Sequence, residues 1–150
     1  MRNKIILLVE DSRDDEELTL GALKKYDIMS KVVVARDGAE ALDRLLDAGV
    51  EPESGGFVLP ELVLLDLRLP KIDGLEVLRR LRADERTKRL PVVIFTSSKE
   101  EQDCLDGYKL GVNSYVRKPI ELEDFAEAAR QLGLYWLLLN LRPSSARTYA

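Results

Sequence analysis

The amino-acid sequence predicts a doubly wound α/β fold, a parallel sheet with helices on both faces, and two observations carry that expectation. Five short apolar runs alternate with helix-like segments, and the runs in the middle of the chain, such as Val63-Leu64-Leu65 and Val92-Val93-Ile94-Phe95, are apolar at every position. A strand covered on both faces has no solvent side, so it loses the alternation that a half-exposed strand keeps. With 150 residues, 45% of them hydrophobic, the chain can bury one such core and hardly two.

The elements follow in order. Residues 5–9 read as the first strand, and Ser12, with Asp15 three positions on, opens a helix by capping its free amides. Residues 32–35 form the second strand, and the same spacing at Asp37 and Glu40 starts a helix whose apolar stripe is Leu42, Leu45 and Leu46. Residues 48–60, with Pro52, Gly55-Gly56 and Pro60, read as a long surface loop. The third strand is 62–65. Asp73 and Glu76 then open a helix in which Gly74, Val77, Leu78 and Leu81 recur at core-facing spacing. Residues 92–95 are the fourth strand, Ser98 and Glu101 start the next helix, and 114–116 is a weaker fifth strand. The last helix runs from about 122 to 140, with a stripe of Phe125, Ala129, Leu132 and Trp136, until Arg142-Pro143-Ser144-Ser145 ends it. The expected division is one domain over 1–142, extended last helix included, and a flexible tail over 143–150.

Composition removes several function classes. A formal charge of −4 argues against a nucleic-acid surface, which would neutralise phosphates with Lys and Arg. Histidine is absent, which excludes Ser-His-Asp and Cys-His catalysis and imidazole metal ligands. The single cysteine, Cys104, cannot form an internal disulfide and reads as a small helix residue. Neither a secretory leader nor an apolar run of roughly 20 residues is visible, so a cytoplasmic protein without a membrane span is expected.

The chemistry collects at the carboxyl ends of the strands, where open parallel sheets bind ligands. Glu10-Asp11 follows the first strand, Asp66 the third, Thr96-Ser97 the fourth and Lys118-Pro119 the fifth. Three carboxylates on one rim repel one another unless a cation joins them, and a hard divalent ion such as Mg2+ suits an all-oxygen set. Asp11 and Asp66 fit as direct ligands and Glu10 as a ligand through water. Thr96 and Lys118 then serve as donors to an added anion, a pairing suited to a phosphoryl group.

Those residues lie in motifs that identify a family. With LLVEDS at 7–12, LLDLRLPKIDG at 64–74, VIFTSS at 93–98 and YVRKP at 115–119, the chain resembles the receiver domain of bacterial two-component response regulators over residues 4–132. The resemblance implies a flavodoxin-like (βα)5 fold with strand order 2-1-3-4-5. It implies Asp66 as the phosphoacceptor for a sensor histidine kinase, the backbone carbonyl of Arg68 as a further Mg2+ ligand, and Thr96 and Lys118 as phosphate contacts. It also implies a switch that pairs Thr96 with Tyr115, a cis peptide bond before Pro119, and Gly74 as the residue that allows the turn after the site. The long loop and the Tyr135-Trp136 pair are similar to those of stand-alone regulators associated with bacterial phytochrome kinases.

Tyr135, Leu138 and Leu141 fall outside the core stripe of the last helix. Large apolar surface that a domain does not cover marks interfaces, so a homodimer through Tyr135, Trp136, Leu138 and Leu141 is expected. A dinucleotide-binding domain would need GxGxxG after the first strand, where Glu-Asp-Ser-Arg-Asp-Asp stands. A hydrolase of the haloacid dehalogenase type would need an acid two residues after Asp66, where Arg68 stands. A receiver-like interaction module that does not depend on phosphorylation is the alternative from another class. No room for a DNA-binding or enzymatic output domain is expected after about residue 140, so the signal should leave by protein contact.

Overall fold

The computed structural model describes residues 4–25, 30–118 and 121–136. Five parallel strands, β1 (Lys4–Val9), β2 (Ser30–Ala35), β3 (Leu62–Leu65), β4 (Val92–Thr96) and β5 (Ser114–Arg117), form one sheet in the order β2-β1-β3-β4-β5. Five helices connect or follow them: α1 (Arg13–Lys25), α2 (Gly38–Leu42), α3 (Gly74–Ala83), α4 (Glu101–Lys109) and α5 (Leu122–Leu134). Both the fold class and the strand order agree with expectation.

Alternation along the strands divides the core in two. Ile5, Leu7, Val9, Val63, Leu65, Val92 and Ile94 face α2 and α3, meeting Leu42, Leu45, Val77, Leu78 and Leu81. Ile6, Leu8, Leu62, Leu64 and Val93 face the other way, toward Leu23 of α1 and Leu132, Leu134 and Trp136 of the last helix. Because β1, β3 and β4 are buried at nearly every position, their sequences carry no polar alternation. On the second face α1 lies against α5, and Phe95 of β4 meets Phe125 of α5 with ring centroids 5.1 Å apart.

The helix starts follow the predicted caps at three of four places. Asp37 and Asp73 accept from the amides of Glu40 and Glu76, and Ser12 Oγ accepts from Asp15 N at 3.3 Å. Ser98 is the exception. Glu101 is the first residue of α4, with Glu100 at its N-cap position, and the Ser98 hydroxyl instead donates to Asp103 Oδ2 at 2.6 Å. α2 continues into a π-helical turn at Asp43–Asp47, which keeps Leu45 fully buried.

The loop at 48–60 has more internal order than its composition implied. Val50 N donates to Val58 O at 2.9 Å, Pro52–Ser54 forms a 3-10 turn, and the Arg86 guanidinium sits 4.8 Å above the Phe57 ring while donating to Leu46 O. Trp136 packs onto the core of its own domain, whereas Tyr135 is 50% exposed beside it. The expected cis bond before Pro119, the interface residues Leu138 and Leu141, and the tail over 143–150 lie outside the described residues. No helix among the described residues is long and apolar enough to cross a membrane.

Candidate phosphoryl and metal site

Strand register builds the site. Val9 stands opposite Leu65, so Glu10 and Asp66, each one residue further on, emerge side by side, and Asp66 N donates to Val9 O at 3.1 Å. Thr96 stands opposite Arg117, and Lys118 N donates to Thr96 O at 2.7 Å. The alternation continues past the strand ends: Glu10 and Asp66 fall on the face of Leu8 and Leu64, and Lys118 on that of Val116, all toward α1 and α5. Thr96 and Tyr115 fall on the opposite face with Ile94, toward α3 and α4.

Lys118 is the hub. Its ammonium contacts Glu10 Oε1 at 2.5 Å, Asp15 Oδ2 at 2.8 Å and Asp66 Oδ2 at 3.1 Å, with only 4% of the side chain exposed. Burial works against its charge, but Asp66, Asp15 and Glu10 together hold the ammonium above the ordinary lysine range. Glu10 behaves differently. Burial outweighs the bond and charge of Lys118, and with the added repulsion of Asp66 it pushes the Glu10 carboxyl up to about 7. Glu10 Oε2 accepts from Ser12 N, and Asp66 Oδ1 accepts from Leu67 N at 2.7 Å.

The donor set fits a hard divalent cation. Glu10, Asp11 and Asp66 can each bring one carboxylate oxygen to a point where all three lie within 4.8 Å of one another, two of them buried and Asp11 exposed. A dication would offset the burial that works against the charge on Glu10 and the Asp66 repulsion that adds to it. Its ligands would be Asp11 and Asp66, with the Arg68 carbonyl on the adjoining loop and Glu10 through water.

Thr96 is fully buried, and its hydroxyl oxygen accepts from Ser98 N at 3.2 Å, which leaves its proton free to donate. Tyr115 packs its ring against the first core, and its hydroxyl is buried with no hydrogen-bond partner among the described residues. Burial pushes the phenol up, and the neighbouring Ser98 side chain opposes the shift. The Arg68 side chain points away from the carboxylates to Asp103 of α4, at 2.6 Å.

Four contributions escaped the sequence. Asp15 and Ser98 were assigned only to capping, and Asp103 was not singled out at all. Gly74 is expected to allow the turn after the site, and the residue there in the left-handed region is Lys71, with φ of 67°. Gly74 serves close approach instead, since a Cβ there would meet the Asp66 carbonyl oxygen at 2.3 Å and Leu67 Cα at 2.8 Å.

The model of the response regulator receiver domain matches residues 6–130. Among curated proteins, the chain is 41% identical over 142 residues to a probable methanogenesis regulatory protein, FilR2, of Methanothrix harundinacea, covering 95% of this chain and 89% of that one. It is 40% identical over 134 residues to the response regulator Rcp1 of Synechocystis, covering 89% of each. The crystal structure of Mn2+-bound Rcp1 superposes with a TM-score of 0.84 at 38% identity, covering 94% of this chain and 99% of that one. The phosphorylated cyanobacterial phytochrome response regulator RcpA gives 0.86 at 37%, covering 95% and 100%, and the bacteriophytochrome response regulator AtBRR gives 0.70 at 50%, covering 94% and 100%. On its motifs, its strand order and these likenesses, the chain belongs to the response regulator receiver domain family.

Proposed function

We propose that this response regulator takes a phosphoryl group onto Asp66 from the phosphohistidine of a sensor kinase and passes the signal on through altered protein contacts. The observation that carries the assignment is the Lys118 ammonium, buried between Glu10 and Asp66 and 3.1 Å from the Asp66 carboxylate. A carboxylate oxygen of Asp66 forms the bond to phosphorus as the bond to the kinase imidazole breaks. Lys118, already beside that carboxylate, balances the charge of the phosphoryl oxygens, and Thr96 has a hydroxyl proton to donate to them. Mg2+, held by Asp11, Asp66, the Arg68 carbonyl and, through water, Glu10, would supply charge neutralisation at the carboxylates and phosphoryl oxygens. The chain is a phosphoacceptor, and any catalysis concerns its own phosphorylation and dephosphorylation.

The likeness to RcpA and AtBRR supports a kinase of the phytochrome type as partner, and the cytoplasm is the place of action that goes with this reading. Exposed Tyr135 supports a homodimer built on the last helix, and Leu138 and Leu141, outside the described residues, are further candidates for that interface. Thr96 and Tyr115 lie on the α4 side of the sheet, where a switch would be read.

Incubation with acetyl phosphate and Mg2+, followed by intact mass measurement, tests the assignment. The protein should gain one phosphoryl group and Asp66→Asn none. No gain, or a gain undiminished in Asp66→Asn, would leave a phosphorylation-independent interaction module. Light scattering should show a dimer that Tyr135→Glu weakens.

A further inference from the structure

We infer that Asp15, the α1 carboxylate that shares Lys118 with Glu10 and Asp66, is a positioning residue for phosphoryl acceptance, holding the ammonium so that one N–H stays aimed at Asp66. The inference rests on the assignment of Asp66 as phosphoacceptor.

A lysine ammonium has three donors and no acceptor, on a flexible four-carbon stem. Here each of three carboxylates, from the β1 end, α1 and the β3 end, lies within 3.1 Å of it, and the Phe95 ring lies 5.9 Å away. The three acceptors match the three donors. When Asp66 becomes an acyl phosphate, the N–H directed at it must turn to a phosphoryl oxygen, while Glu10 and Asp15 keep their contacts. Two fixed anchors define the direction of the third donor. With Glu10 alone, the ammonium could swing about a single contact.

Asp15 is itself well held. Its amide donates to Ser12 Oγ at 3.3 Å, and its carbonyl accepts from the buried Thr19 hydroxyl at 2.9 Å. It stands apart from the group of Glu10, Asp11 and Asp66 that can converge on a cation, so its influence passes through Lys118. Asp14, exposed in the same helical turn, has the same charge and dipole position and serves as the control.

The full chain should be compared with Asp15→Ala, Asp15→Asn and Asp14→Ala, each with an unchanged thermal unfolding profile. The rate of phosphoryl gain from acetyl phosphate at saturating Mg2+ should fall about tenfold in Asp15→Ala, stay within about twofold in Asp14→Ala, and recover to about half in Asp15→Asn, whose amide oxygen still accepts. A second readout needs no phosphate: acylation of Lys118 by an N-hydroxysuccinimide ester in chelator-treated protein, followed by peptide mass, should be several-fold faster in Asp15→Ala and unchanged in Asp14→Ala. If Asp66 is not the acceptor, wild type will gain no phosphoryl mass while the labelling contrast persists. Three results would overturn the inference: Asp15→Ala matching wild type in phosphorylation and labelling, Asp14→Ala reproducing both changes, or Asp15→Asn reacting as slowly as Asp15→Ala. Should Asp15→Ala fail to fold, Asp15→Leu, which also lacks an acceptor, takes its place: slower phosphoryl gain and faster Lys118 labelling than in Asp15→Asn support the inference, and wild-type rates of both overturn it.

Discussion

Removing the hydroxyl of Tyr115 should make the protein more stable. The ring packs against the core on the α2 and α3 face, and its oxygen is buried with no hydrogen-bond partner among the described residues. A hydroxyl withdrawn from water without a replacement bond costs about 1–3 kcal/mol. Tyr115→Phe removes that cost and leaves a void of one oxygen atom, whose lost contacts return a few tenths of a kcal/mol. The net gain should be about 1 kcal/mol, or roughly 3 °C in Tm for a domain of this size. Urea unfolding followed by circular dichroism should show a higher midpoint at unchanged slope. Ser98 offers an internal check, because its hydroxyl is committed to Asp103 at 2.6 Å. A double-mutant cycle between Ser98→Ala and Tyr115→Phe should give a coupling below about 0.5 kcal/mol. A Tyr115→Phe protein less stable than wild type by more than about 0.5 kcal/mol would refute the reasoning, since the phenol would then have a partner in solution.

Two further outcomes follow from the site. Burial raises Glu10 to about 7 in the folded chain, from an unfolded value near 4.5, so the folded state holds the proton more tightly. Below the lower value both states are protonated, and above the higher both are ionised. Stability of the metal-free protein should therefore fall between these values as pH rises, by about 3 kcal/mol relative to Glu10→Gln. Chemical denaturation in chelator at several pH values measures this, and parallel curves for the two proteins would contradict it. Gly74→Ala should cost about 3 kcal/mol and abolish phosphoryl gain, because the new Cβ would press on the backbone of Asp66 and Leu67 and not on a side chain that could move. Unfolding and intact mass together check that outcome, and an Ala variant of wild-type stability would show that α3 can shift freely.

The rim of the site was legible in the sequence because its side chains follow directly on strands. Glu10, Asp66 and Lys118 each stand one residue beyond a β-strand, and although one polar residue in that place is ordinary, the set of them on several strand ends of one sheet is not. Asp15 and Asp103 were hidden for the converse reason: each lies in a first helical turn, where acidic residues are ordinary complements to the free amides and the helix dipole. Ser98 was misread because a Ser three residues before a Glu satisfies the capping pattern whether or not the helix begins there, and α4 begins later.

By itself, the sequence determined the α/β class, the strands and most helix starts, and the set of oxygen and ammonium groups at one end of the sheet, because hydrophobic periodicity and strand-end polarity are local properties. Only the tertiary structure decided how those groups meet. The Val9–Leu65 register sets Glu10 beside Asp66, and strand alternation sends Thr96 and Tyr115 to the opposite face from Lys118. The third partner of Lys118 was decided in space, where a long side chain crosses from β5 to an α1 carboxylate more than 100 positions earlier, a distance no local pattern encodes.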